Sequence, residues 1–147
     1  MTQTKLSLPD LYLEDETAWL EAMAERIRKG TIANLDYSNL GEYLSDMAKR
    51  DRREVESRLV VLLMHILKWV HQPDHRSGSW RSSIIEQRQE LVRLASGGIL
   101  RNHAEAVLHE VYAEALERAA AETGLPSSAF PTDCEFAFDE LLAFDPA

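Results

Sequence analysis

Residues 59–70, LVVLLMHILKWV, form the most apolar stretch of the chain, with His65 and Lys68 as the only polar members. A helix that is apolar on all sides is either buried by other elements or crosses a membrane. This run falls short of the roughly 20 residues that a bilayer requires. Pro73 lacks a backbone amide and ends the helix. The pattern therefore predicts a central helix, from about residue 52 to His71, that other helices surround.

Apolar residues recur at helical spacing in several other stretches. The first helix is predicted to begin near Asp10 or Asp15 and to end before Gly30. A second helix is capped by Asp36 or Ser38, and two outcomes stay open for its end. It either stops at the polar junction of residues 49–53 or continues into the central helix.

The second half of the chain contains further helical patterns. One helix is capped by Ser77 or Ser79 and ends at Gly97-Gly98. The last long helix covers about residues 99–122, and Gly124 caps it. In the tail, residues 125–147, an apolar group predicts one short helix that folds back on the bundle.

These elements predict an all-α fold. No stretch alternates apolar and polar residues as a half-buried strand does, and the sequence has no internal repeat. We expect a single domain over residues 1–147, a bundle of about five helices around the central apolar helix. Residues 1–9 are predicted to form a loose lead-in, and residues 125–147 a tail that packs on the bundle.

The net charge of −9 argues against nucleic acid or an anionic membrane as partner, because those partners require a basic surface. The charge is unevenly distributed: residues 49–101 carry +5 and the rest of the chain −14. Two interpretations stay open. Either complementary faces neutralise each other on folding, or the central region offers a basic patch to an acidic partner.

The compartment is predicted from the cysteine content and the N-terminal residues. Cys134 is the only cysteine, so no internal disulfide can form, which is typical of a reducing compartment. The first ten residues, MTQTKLSLPD, lack the apolar region of a signal peptide. We therefore expect a cytoplasmic protein.

Basic and aromatic residues gather where the central helix ends and the next helix begins, in HILKWVHQP (65–73) and RSGSWRSSIIEQR (76–88). A helix N-terminus with free amides at residues 79–82, beside two arginines, can hold a phosphate or a carboxylate. A tryptophan can form one wall of such a site. We predict a ligand-binding cluster of His65, Lys68, Arg76, Ser79, Trp80 and Arg81.

A structural interpretation competes with this site. In it, Trp69 and Trp80 are core anchors, and Arg76 and Arg81 lie on the surface. Gln87 and Arg88 would then satisfy acids of the first two helices, such as Asp15, Glu42 or Asp46.

Metal binding and catalysis find little support in the sequence. His71 and His75 are four residues apart, but Pro73 breaks the helix that would align them. No HExxH motif is present, so neither a metal site nor a cofactor is predicted. Cys134 follows Asp133, an acidic neighbour that raises the pKa of a thiol. The serines lack a GxSxG context, and no catalytic residue is predicted.

Short motifs are spread over nearly the whole chain: DETAWL with Asp15 and Trp19, Glu42–Met47, His65–Trp69 with Gln72-Pro73, Ser79–Arg81 with Gln87-Arg88, Tyr112 and Ala115, Glu122–Leu125, and Phe130-Pro131 before Cys134. Together they resemble the bacterial domain-of-unknown-function family twenty-nine, which is common in cyanobacteria. The family often carries a proline after the cysteine, where this chain has Glu135. The resemblance implies a small all-helical protein with no established activity, cofactor or substrate.

The leading hypothesis is a non-enzymatic, cytoplasmic protein-interaction module. It would bind a protein partner, or a second copy of itself, through the positive central region or an exposed apolar stripe. The second hypothesis is a small anionic-ligand binder that uses the Trp/Arg cluster. The third is an enzyme of unrecognised type, with His65 as a base oriented by an acid such as Asp46. Nucleic-acid binding ranks last.

Overall fold

The computed structural model describes residues 6–147, and the first five residues of the predicted lead-in lie outside that range. Six α-helices occupy the described chain: α1 (Leu8–Glu14), α2 (Glu16–Arg28), α3 (Tyr37–His71), α4 (Gly78–Ala95), α5 (Gly98–Thr123) and α6 (Phe138–Leu142). Three 3₁₀ turns lie between them, at Ile32–Asn34, Pro73–His75 and Ser127–Ala129. No β-strand is found in these residues, and the all-α prediction is confirmed.

The described residues pack as two compact units, one ending at Lys49 and the other beginning at Arg50. Helix α3 contributes residues to both units. The single-domain organisation stays a prediction. Across residues 6–147, none of the helices combines the length and the apolar content that crossing a membrane requires.

The first unit begins with two short helices where the sequence analysis expected one. Ser7 caps α1, so the chain becomes helical at Leu8 and the predicted lead-in is shorter than nine residues. Asp15 leaves the helical conformation, with φ −151° and ψ 89°, and its carboxylate accepts the amide of Ala18 at 3.1 Å. Asp15 therefore separates α1 from α2 and caps α2, as one of the two predicted start sites.

Trp19 is the centre of the core of the first unit. Its side chain is fully buried, and Met23 and Leu8 are the other buried apolar residues around it. Tyr12 meets the indole edge to face, with the ring centroids 4.7 Å apart. The indole Nε1–H donates to Asp36 Oδ2 at 3.2 Å, which satisfies the polar end of the buried ring.

Helix α3 is continuous over 35 residues, which settles the question of the 49–53 junction. Asp36, one of the two predicted caps, begins it by accepting the amide of Asn39 at 3.3 Å. From residue 42 to residue 72 the sequence contains neither glycine nor proline, so nothing in the backbone interrupts the helix. The helix ends at His71, two residues before Pro73, as predicted.

The second unit surrounds the apolar half of α3. Its fully buried side chains come from α3, α4, α5 and α6, including Leu59, Leu62, Ile66, Ile84, Leu91, Ala115 and Leu141. The tail is tied to the helices by polar contacts. Arg88 of α4 donates to the carbonyl of Phe144, and the Tyr112 hydroxyl of α5 donates to the carbonyl of Pro131. The short tail helix is therefore present as α6, as the sequence predicted.

Candidate functional site

Lys68 is a buried charge in the predicted ligand-binding cluster. Only 9% of its side chain is exposed, and its Nζ donates to Glu122 Oε2 at 2.6 Å. The same ammonium group lies 4.6 Å from the centre of the Trp80 ring. Burial of a lysine requires a countercharge, and Glu122 supplies it from the end of α5. The charge of Lys68 is thus committed to the protein itself.

Arg76 repeats this arrangement with the other tryptophan. Its guanidinium carbon lies 4.8 Å from the centre of the Trp69 ring, and its Nε donates to the carbonyl of Trp69 at 2.8 Å. The carbonyl of Trp69 lies in the last turn of α3, where the positive charge of an arginine also complements the negative end of the helix dipole. Each tryptophan of the cluster therefore has one cation packed on its face.

The N-terminus of α4 has fewer available amides than the sequence suggested. Ser77 is its cap, and its Oγ accepts the amide of Trp80 at 3.2 Å. The carbonyl of Ser77 accepts the amide of Arg81 at 3.1 Å. Two of the four amides predicted to be free are therefore occupied. Ser79 and the Arg81 side chain are exposed to solvent.

His65 lies beside Lys68 but is oriented by its own helix. Its Nδ1 is 2.9 Å from the carbonyl of Val61, and because a carbonyl only accepts, Nδ1 carries the proton. The hydrogen-bonding partner of the ring is therefore a carbonyl and not the predicted acid. Burial lowers the pKa of His65, and the positive charge of Lys68 lowers it further. Contact with Val61 and the charge of Glu122 act in the opposite direction.

The structural interpretation of Gln87 and Arg88 was wrong about their partners. Gln87 Oε1 accepts from Arg58 Nη1 at 3.2 Å, and Arg88 donates to the carbonyl of Phe144. Both partners belong to the second unit, whereas the predicted acids Asp15, Glu42 and Asp46 belong to the first unit. The sequence analysis missed Phe144 because a carbonyl acceptor in a tail leaves no signal in the pattern of charged residues.

The basic central region is neutralised in part by acids from elsewhere in the second unit. Lys68 pairs with Glu122, and Arg101 pairs with Asp139 at 2.7 Å and with Glu105 at 3.1 Å. These three acids all lie outside residues 49–101. The contacts favour complementary faces over a basic patch as the reason for the uneven charge distribution.

Cavities of about 30, 260 and 360 Å³ lie in the second unit. An apolar cavity of about 30 Å³ lies between α3, α5 and the tail, with His71 and Tyr112 in its lining. This volume holds a water molecule or two and no organic ligand. A charged cavity of about 260 Å³ lies between α3 and α5. Two of its acids, Glu56 and Glu114, are paired with His103 at 3.2 Å and with Arg118 at 2.8 Å.

Metal ligation and thiol chemistry have little basis in the geometry. Within the described part of the chain, no three His, Cys, Asp or Glu side chains gather closely enough to hold a metal ion. Cys134 is half-buried, and its Sγ lies 3.4 Å from the carbonyl of Phe136. Burial raises the pKa of this thiol, so little of the reactive thiolate is present at neutral pH.

The largest exposed apolar side chains lie mainly in the first unit. They are Leu6, Leu13, Ile27, Ile32, Tyr37 and Leu44, compared with Val70, Val92 and Ile99 in the second unit. Leu13 is 84% exposed and Leu44 is 59% exposed. Helical spacing places Leu44 in one apolar stripe with Leu40 and Tyr43, but spacing alone does not say which side of a stripe other elements cover.

Comparison with known proteins gives a family match and nothing more specific. The family model described as domain of unknown function DUF29 matches residues 11–145, nearly the whole chain. No curated protein and no solved structure matches the chain.

Proposed function

The chain belongs to the family described as domain of unknown function DUF29, and within this family we propose that it is a protein-interaction module without catalytic activity. Its binding surface is the set of exposed apolar side chains in the first unit, which we call the apolar surface: Leu6, Leu13, Ile27, Ile32, Tyr37 and Leu44. We further propose a cytoplasmic location in a bacterium. A single cysteine and the resemblance described above support that location.

The distribution of exposed apolar residues carries the proposal. Six large apolar side chains are exposed between Leu6 and Lys49, compared with three in the longer second unit. Leaving such side chains in water costs free energy that burial against a partner recovers, about 25 cal/mol for each Å². The first unit also has a well-defined core around Trp19, so these residues are not the remainder of an unformed core.

The anionic-ligand hypothesis has less support from the contacts. Lys68 is neutralised by Glu122, Arg76 is packed on Trp69, and Ser77 occupies two amides of α4. An anion at this place would have to displace Glu122 or rely on Arg81 alone. The enzyme hypothesis is weakened in the same way, because His65 is bound to a carbonyl of its own helix.

Site-specific photo-crosslinking tests the proposal. A photoreactive phenylalanine analogue replaces Leu44, Ile32 or Leu13 in the full chain, in cells of a bacterial host that expresses the natural gene neighbourhood. Ile99 and Glu117, which are exposed in the second unit, are the matched control positions. Crosslinked protein species are expected at the three apolar-surface positions and not at the controls. Equal crosslinking at all five positions, or none at any, would contradict the proposal.

A further inference from the structure

The charged cavity between α3 and α5, of about 260 Å³, is large enough for a small molecule. Five residues from one face of α3 line it, at offsets of three, four, seven and eight from the first: Arg53, Glu56, Ser57, Val60 and Val61. Glu114 and Arg118, one turn apart on α5, lie on the other side. Pockets for drug-sized ligands have volumes of about 300–1,000 Å³, so this cavity fits a smaller molecule.

Arg53 brings a positive charge to this cavity that the protein does not neutralise. Its side chain is exposed and forms no ion pair or hydrogen bond with another residue of the described chain. Glu56 lies three residues further along α3, close enough for an ion pair on a helix surface. Instead, Glu56 Oε1 lies 3.2 Å from Nε2 of His103 on α5. The guanidinium group of Arg53 is therefore available to a carboxylate from outside, which it can hold through two parallel N–H donors.

The ion pair on the α5 side of the cavity is easily rearranged. Glu114 Oε1 and Arg118 Nη2 are 2.8 Å apart, but each of the two side chains is 53% exposed. An exposed pair of this kind, four residues apart on one helix, adds little to stability because solvent screens it. Either member can therefore turn towards a bound molecule at little cost.

The charges of the lining favour one kind of ligand over others. Two arginines and two glutamates line the cavity, and their charges sum to zero. An anion near Arg53 is repelled by Glu56 and Glu114, and a cation near these glutamates is repelled by the two arginines. A zwitterion avoids both repulsions, because it directs its negative end to an arginine and its positive end to a glutamate. The lining thus matches a molecule that carries both charges and no net charge.

Two valines add an apolar wall to the cavity. Val60 is buried and Val61 is half-buried, one helical turn beyond the polar part of the lining. Along α3, Arg53, then Glu56 with Ser57, and then the two valines follow each other at intervals of roughly one turn, about 5.4 Å. A ligand whose negative end lies at Arg53 can therefore place an apolar group on the valines.

We propose that this cavity binds a free α-amino acid with an apolar side chain, such as leucine. Its carboxylate accepts from Arg53 and from the hydroxyl of Ser57, its ammonium group donates to Glu56, and its side chain contacts Val60 and Val61. Most of the charged lining is exposed, so we expect a weak affinity, with a Kd of about 1 mM. The site lies in the second unit, and the inference does not rest on the protein-binding function proposed for the first.

An NMR titration of the full chain with L-leucine, up to about 20 mM at neutral pH, tests the proposal. The backbone amide signals of residues 53–61 and 114–118 are expected to shift in a saturable manner. A Kd of about 1 mM should follow from the titration curves. The absence of any saturable shift overturns the inference, and so do shifts confined to other parts of the chain.

Two analogues of leucine, each lacking one charge, test the zwitterion. Isocaproate has the carboxylate and the side chain without the ammonium group, and isoamylamine has the ammonium group and the side chain without the carboxylate. Each is expected to bind at least about tenfold more weakly than leucine, because each leaves one of the opposed charges of the lining without a partner. An affinity equal to that of leucine for either analogue overturns the assignment of a zwitterion.

Three variants test the position of the site. Arg53→Gln removes the charge that holds the carboxylate and is expected to weaken leucine binding at least about tenfold. Glu56→Gln is expected to weaken it roughly fivefold, because the amide keeps the shape of the side chain and loses its charge. Arg81→Gln is the matched control, an exposed arginine of α4 changed in the same way, and it should stay within about twofold of the wild type.

The variants separate a specific site from a general effect of charge. Arg53 contacts no other described residue, so Arg53→Gln is expected to keep the fold, which its amide spectrum verifies. Wild-type affinity in Arg53→Gln overturns the inference. An equal loss of affinity in Arg53→Gln and Arg81→Gln overturns it as well, because leucine would then respond to the net charge of the protein and not to the cavity.

Discussion

Lys68 Nζ lies 2.6 Å from Glu122 Oε2, so the last turns of α3 and α5 are joined by an ion pair with one buried and one half-exposed member. The lysine side chain is 9% exposed and the glutamate side chain 49% exposed. The buried ammonium group depends on this carboxylate for most of its compensation, since the Trp80 ring supplies only a weaker attraction.

We expect Glu122→Gln to destabilise the protein more than Lys68→Met. The first leaves a buried charge without its counterion, at a cost of about 1–2 kcal/mol because Glu122 is half in solvent. The second replaces the lysine by an apolar side chain of similar length, at a cost below about 1 kcal/mol. The measurement is the free energy of unfolding in urea. The double variant should match Lys68→Met, and a double variant as unstable as Glu122→Gln would refute the prediction.

Asp36→Ala is expected to lower the free energy of unfolding by about 2–3 kcal/mol, because it removes the cap of α3 and leaves the buried indole N–H of Trp19 unpaired. Asp36→Asn keeps one acceptor oxygen where the carboxylate has two, so it can cap the amide of Asn39 but leaves the indole N–H without its acceptor, and it should cost about 1–2 kcal/mol. Hydrogen exchange at the amides of Asn39 and Leu40, whose hydrogen bonds Asp36 accepts, reports the loss of the cap locally. Equal effects of the two substitutions would show that the cap contact contributes little.

Two glycines should respond to alanine in opposite directions. Gly41→Ala is expected to stabilise the protein by about 0.5–1 kcal/mol, because the position is helical and a Cβ meets nothing within 4 Å. Gly124→Ala should destabilise it by about 1 kcal/mol, because Gly124 ends α5 with φ +74°, where a side chain is strained. Thermal unfolding gives both values. A destabilising Gly41→Ala would mean that α3 is not helical at this position.

The His65 side chain should make stability decrease on acidification. Burial lowers the pKa of His65 in the folded protein below its value in the unfolded chain. As the pH falls below the unfolded pKa, the unfolded state therefore binds more protons than the folded state. The contribution is present above the unfolded pKa of 6.5 and is lost as the pH falls through the folded pKa. His65→Gln, which can still donate to Val61, should lose less stability than the wild type between about pH 7.5 and about pH 5. The same pH dependence in both proteins would contradict the assignment.

The sequence predicted the helices well where end signals are local. Asp15, Asp36, Ser77 and Gly124 stand at helix ends because each satisfies backbone groups a few residues away. It was less successful for the candidate site. The residues of the Trp/Arg cluster do come together in part, but their partners Glu122 and Val61 decide what the cluster can bind, and the sequence analysis assigned neither of them to the cluster.

The amino-acid sequence by itself determined the all-α fold, the buried half of α3 and the family, because apolar periodicity, caps and motifs are properties of neighbouring residues. Only the tertiary structure decided which apolar stripes are covered and which cations are already paired. Tyr37 and Leu44 share one face of α3, as Leu59 and Leu62 do, yet the first pair is exposed and the second fully buried. Coverage depends on the elements that pack against a face, and these come from distant parts of the chain.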